Sequence, residues 1–183
     1  MTFNIFRTLF FFTCYLLFSV GSYEEASAQN REMPQITDQR NAAVGYVFSY
    51  TAVVVTVINT CKQVPSLSKN PNDAFYSWHL RNNQYFEASK NWLTYVASDI
   101  KSKNGQEAAD AFRKQVIGQA TQTGNATVKG FLENNTPPEV CERWINLLYS
   151  PQSDLINNNS EFKNDLEYLI RVNKDVADWN ATH

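Results

Sequence analysis

Val44, Val47, Thr51, Val54, Ile58 and Cys61 recur at alternating steps of three and four, which places them on one face of an α-helix. Tyr46, Tyr50, Val53, Val57 and Val64 form a second stripe beside the first. No formal charge falls between Arg40 and Lys62. A helix apolar on most of its sides has to be covered by other elements, so the pattern predicts a central helix within an all-α domain. The β-branched run Val53 to Ile58 would also suit a buried strand. Nothing but Gly45 punctuates the chain between Asp38 and Val64, however, and strands of that length are rare. About twenty apolar residues also span a bilayer. Here Asn41, Ser49, Thr51, Thr56, Asn59 and Thr60 dilute the run, which favours a buried helix over an integral membrane span.

The remaining pattern supplies the cover. Pro65, Asn70 and Pro71 mark a loop, and a second helix is predicted from Asn72 or Asp73 to about Lys103, stopped by Asn104-Gly105. Its inward face reads Phe75, Trp78, Tyr85, Trp92 and Val96, widened by Phe86, Leu93 and Ile100. From Gln106 to about Glu133 the signal is weaker, with Ala108, Phe112, Val116, Ala120 and Phe131 at helical spacing, and a helix is expected that frays or breaks near Gly124. Thr136, Pro137 and Glu139 form an N-cap, a first-turn proline and a capping box. They open a short helix that buries Val140, Trp144, Leu147 and Leu148. After a polar stretch to Asn159, Ser160 is predicted to cap a last helix with Phe162, Leu166, Leu169, Ile170 and Val176 inward. The expected fold is a single-domain helical bundle, four to five helices around the buried central one, spanning residues 38–183.

The N-terminus changes the composition of the working molecule. Arg7, the apolar run Thr8 to Val20 and the small residues Ala26-Ser27-Ala28 have the layout of a secretory signal peptide over residues 1–28, with cleavage before Gln29. Residues 29–37 then form a flexible lead-in. Removing Arg7, Glu24 and Glu25 leaves 15 basic and 16 acidic residues, so the mature chain carries no electrostatic footprint for nucleic acid. Cys61 and Cys141 are the cysteines that remain. In an oxidising compartment such a pair is expected to be bonded, which would stabilise the fold by about 4 to 5 kcal/mol for this loop length. The localisation expected is therefore exported, periplasmic or extracellular.

Local motifs for chemistry are sparse. The mature chain holds His79 and His183, with no GxSxG elbow, no HExxH pair and no glycine-rich phosphate loop. An EF-hand register with Gly105 at its sixth position puts Ile100 where the first ligand oxygen belongs. No metal or cofactor is expected. Four Asn-x-Ser/Thr patterns begin at Asn125, Asn134, Asn158 and Asn180, against about three expected by chance in so Asn-rich a chain.

Trp78, Tyr85 and Trp92 recur every seven residues and lie in one row along the second helix. Core packing explains such a row, and so does the wall of a groove. Trp78, His79, Arg81, Asn82 and Tyr85 bring aromatic area, an imidazole, a cation and an amide together within two helical turns, and they are the candidate ligand-binding residues. The sequence thus points to an exported, non-enzymatic helical domain that binds a protein or small ligand. The alternatives are a hydrolase-like enzyme with a site assembled around His79 and a structural envelope-associated protein.

Overall fold

The computed structural model describes residues 33–183, apart from residues 66 and 134. The expected signal peptide lies outside the described residues. Those described form six helices and two single 3-10 turns, without a strand: α1 (Asp38–Cys61), α2 (Pro71–Asn104), α3 (Gln106–Glu133), α4 (Pro137–Leu148), α5 (Leu155–Asn158) and α6 (Lys163–Asn180). The 3-10 turns, Pro151–Ser153 and Ser160–Phe162, flank α5. The all-α bundle read from the sequence is the fold observed.

α1 packs against α2, α3, α4 and α6. Thr37 caps it, its hydroxyl accepting from the Arg40 amide at 3.3 Å. Val44, Val47, Val53, Val54, Val57, Ile58 and Cys61 are all buried along its length. Two of the hydroxyls that interrupt this run are satisfied within the helix, Thr51 donating to the Val47 carbonyl at 2.7 Å and Thr60 to that of Thr56 at 3.0 Å. By length and composition alone α1 is also apolar enough to cross a bilayer. The lead-in expected to be flexible is held where it is described: Pro34 is buried, and its carbonyl accepts from the Tyr95 hydroxyl at 3.1 Å.

α2 is a second hub, packed on α1, α3, α4 and α6. Asn70 caps its start, Pro71 occupies its first turn, and Gly105 at φ +89° ends it in a conformation that a side chain would strain. Trp78 and Trp92 are 2 % and 1 % exposed, so the aromatic row is core along most of its length. The Trp92 indole donates to Asn41 Oδ1 of α1 at 3.0 Å, so its donor is not orphaned in that core.

α3 departs from the sequence reading, because it runs unbroken through Gly124. A Cβ at Gly124 would lie 2.7 Å from the Ala52 carbonyl carbon and 2.8 Å from its Cβ. The glycine is therefore what lets α3 approach the backbone of α1, and it marks a crossing point rather than a break. Beside it the Thr56 hydroxyl donates to Asn125 Oδ1 at 3.2 Å.

α4 begins at the predicted capping box, where the Glu139 carboxylate accepts from the Thr136 amide at 3.0 Å and from its hydroxyl at 2.8 Å. Those two donors hold the Glu139 carboxyl below its usual range. Cys141 in the first turns of α4 is bonded to Cys61 at the end of α1, with an S–S distance of 2.09 Å. The stretch between α4 and α6 is more ordered than its polarity implies, because Leu155 is fully buried and draws the chain inward.

Candidate functional site

Helical spacing gives α2 three flanks near its start, and each has a different fate. Phe75, Trp78, His79, Asn82 and Phe86 face α1, where with Thr51 and Val55 they line a cavity of about 200 Å³. Tyr76 and Leu80 point to solvent, 63 % and 61 % exposed. Arg81 turns the other way, toward the segment that follows α4.

That third flank is a lock. The Arg81 guanidinium donates from Nε to Asp154 Oδ1 at 2.9 Å, and from Nη2 to the carbonyls of Leu148 at 2.7 Å and Ser150 at 3.1 Å. Its Nη1 returns to the Ser77 carbonyl at 3.1 Å. A planar fork of donors suits this task, since it caps the carbonyl end of α4 and pairs a carboxylate at once. Asn82, 1 % exposed, continues the lock: its amide nitrogen donates to the Trp78 carbonyl at 2.8 Å and to Asp154 Oδ1 at 3.2 Å, while its oxygen accepts from the Leu155 amide at 2.8 Å. The Trp78 indole donates to the Ser153 carbonyl at 2.9 Å. From α1, the Tyr46 hydroxyl donates to the Leu155 carbonyl at 3.1 Å.

The consequence for the cavity is chemical. Trp78 and Asn82 show it their apolar surfaces and spend their donors elsewhere, and Thr51 spends its own within α1. The His79 imidazole, stacked on the Phe75 ring at 5.8 Å between centroids and 13° between planes, has no hydrogen-bond partner among the described residues. It is the one lining donor left uncommitted there. The cavity is thus an apolar pocket with a single polar handle.

Of the five residues proposed from sequence, Trp78, His79 and Asn82 line this cavity, whereas Arg81 and Tyr85 do not. Tyr85 is 8 % exposed, one turn further along α2, and burial raises its hydroxyl pKa. Thr51, Val55, Phe75 and Phe86 are the wall that sequence reasoning did not assign. Phe75 and Phe86 were visible as part of an aromatic face; Thr51 and Val55 enter only through the pairing of α1 with α2. Near the cavity, Tyr50 lies 6.1 Å from Trp78 between ring centroids, and burial, with smaller contributions from Tyr46 and Asp154, raises its pKa strongly.

No family model, curated protein or solved structure matches this chain. The site therefore has to be read from its own geometry. No carboxylate contacts His79 among the described residues, and no group of three or more His, Cys, Asp or Glu there could hold a metal ion. A larger cavity of about 410 Å³ lies where Tyr95, Ser98 and Asp99 meet Trp179 and His183. Its mixed polar and charged lining gives it no comparable selectivity for an apolar guest.

Proposed function

We propose that the protein is an exported, non-enzymatic helical domain that binds a small, largely apolar ligand in the α1/α2 cavity. The observation that carries this reading is the cavity itself: about 200 Å³, walled by Phe75, Trp78, Phe86 and Val55, with the His79 imidazole its one free donor among the described residues. An engineered apolar cavity of about 150 Å³ takes up benzene, so this volume suits a single ring with a small substituent. Export is supported by the signal-peptide layout of residues 1–28, and a disulfide is compatible with an oxidising compartment. A base without an orienting acid is poorly equipped for nucleophilic chemistry, which favours binding over hydrolysis.

Phenol and toluene are the probes that test it, followed by amide NMR shifts. Both should perturb the amides around Phe75, His79 and Phe86. Val55→Trp, at a position 39 % exposed, should fill the cavity and abolish the response without unfolding the protein. His79→Ala should weaken the probe that can hydrogen-bond and leave toluene unaffected. Binding that survives Val55→Trp, or no response at these amides, refutes the site. A hydrolase substrate panel, run on the wild type and His79→Ala, should show no His79-dependent turnover.

A second reading, a protein partner that inserts an apolar side chain here, is favoured by the exposed Tyr76 and Leu80 on the adjoining flank of α2. A pull-down from native envelope extract separates the two. Capture by the wild type that is lost with Leu80→Asp supports the protein partner.

A further inference from the structure

A second cavity, of about 230 Å³, lies between the end of α3 and α4, lined by Phe131, Asn135, Val140, Arg143, Trp144 and Leu147. Its body is apolar. Phe131 and Trp144 stand 5.4 Å apart between centroids at 39°, forming two sides of the space. Val140, 4 % exposed, packs beside them and is the neighbour in sequence of Cys141. The disulfide ties that turn of α4 to α1, so this wall is held whether or not anything is bound.

The exposed side has a different character, because Arg143 brings a cation to it. The Arg143 side chain has no carboxylate within 4.0 Å among the described residues; its one hydrogen bond there is a long contact of 3.4 Å from Nη2 to Asn135 Oδ1. Asn135 is fixed in turn, donating its amide to the Phe131 carbonyl at 2.9 Å. Glu139, one turn before Arg143, uses its carboxylate on the Thr136 amide and hydroxyl. The Trp144 indole N–H has no partner among the described residues. A guanidinium with no carboxylate within salt-bridge distance among the described residues, beside an apolar recess, calls for a guest with an apolar body and an acceptor-only head.

We infer that this cavity is a separate binding site for a small carboxylate amphiphile, a single ring or short chain whose carboxylate is forked by Arg143. A planar carboxylate matches the guanidinium in a way that an alcohol or amine does not. The recess is comparable in size to cavities that hold one aromatic ring. The inference is independent of the α1/α2 cavity, with which it shares no lining residue.

The probes are 3-phenylpropionate and its neutral counterpart 3-phenyl-1-propanol, titrated into the full mature protein by calorimetry and followed at the tryptophan indole N–H signals. The acid should bind about tenfold or more tightly than the alcohol and shift the Trp144 indole signal. Arg143→Gln, at an exposed position with one long hydrogen bond, should fold normally by far-UV circular dichroism and reduce the acid to the affinity of the alcohol. Leu147→Trp should fill the recess and weaken both. Equal affinity for acid and alcohol, an acid affinity unchanged in Arg143→Gln, no detectable binding of the acid, or a shift confined to the Trp78 indole signal would each overturn the proposal. The last outcome would leave the α1/α2 reading intact, so the two sites fail separately.

Discussion

Gly124→Ala is the substitution in which two physical effects of known sign compete. In an open helix, replacing glycine by alanine stabilises by up to about 1 kcal/mol, because glycine loses more backbone freedom on folding. At Gly124 the new Cβ meets the backbone of Ala52 at 2.7 Å, while ordinary contact begins near 3.4 Å, so α1 and α3 must part by roughly 0.7 Å. The obstacle is main chain and not the end of a flexible side chain, so it cannot swing aside. Overpacking of this kind costs about 1 to 3 kcal/mol, and a rigid obstacle argues for the upper end. The net expectation is a loss of about 2 kcal/mol, or roughly 4 to 8 °C in melting temperature for a domain of this size. At Gly118 and Gly130 on the same helix a Cβ would meet nothing within 4 Å, so alanine there should be neutral to stabilising. Urea denaturation of the three variants, followed by circular dichroism, gives the comparison. If Gly124→Ala is as stable as Gly118→Ala and Gly130→Ala, the close crossing of α1 and α3 is wrong.

Four further expectations follow from the described contacts. Arg81→Ala should cost about 2 to 3 kcal/mol, because the guanidinium's partners at Asp154, Leu148 and Ser150 are left behind, and Arg81→Lys should not restore it, since an ammonium cannot fork; denaturant titration of both measures this. Val54→Asp places an unpaired charge at a fully buried position and should prevent folding, whereas Gln119→Asp on the exposed side of α3 should be mild, which expression and circular dichroism will show. Reducing Cys61–Cys141 should lower the melting temperature while the far-UV helical signal persists, and alkylation of the unreduced, denatured protein should leave both cysteines unmodified by mass. Burial raises the pKa of Tyr46 and Tyr50 above 10.0, so unfolded chains lose these protons first: stability is full below pH 10 and declines as pH rises from there toward the folded values. An alkaline titration that showed every tyrosine ionising near pH 10 with the fold intact would contradict this.

The helices were legible because their signals are local. The alternating spacing from Val44 to Cys61, the loop at Pro65 to Pro71 and the Thr136–Glu139 capping box each act within a few residues, and each lies where the spacing predicts. Gly124 was not legible. A glycine amid Gln, Thr and Asn reads as a weak point, and its use as a contact depends on Ala52, 72 positions earlier. The stretch from Ser150 to Asn159 was opaque for a related reason: Leu155 is a lone buried apolar residue with no period around it, and the partners of Asp154 sit on α2. At the candidate cavity, the row on α2 identified Trp78, His79 and Asn82, but a helix has two sides to any row. Which side meets α1 is a tertiary fact, and it sends Arg81 to the lock instead of the cavity.

The lock on α2 also bears on the order in which the chain can acquire its structure during synthesis. Trp78, Arg81 and Asn82 are made early, yet their acceptors lie about seventy residues downstream, from Leu148 to Asp154. At ribosomal rates of about 5 to 20 residues per second, those donors wait several seconds before the matching carbonyls exist. A nascent chain ending at α3 lacks the Ser153 carbonyl for the Trp78 indole N–H and the Leu155 amide for the Asn82 side-chain oxygen, so this flank of α2 cannot be covered with its polar groups satisfied. Completion of the lock is thereby deferred until almost the whole polypeptide exists, and the cavity that shares Trp78 and Asn82 with the lock takes its final form only after that point.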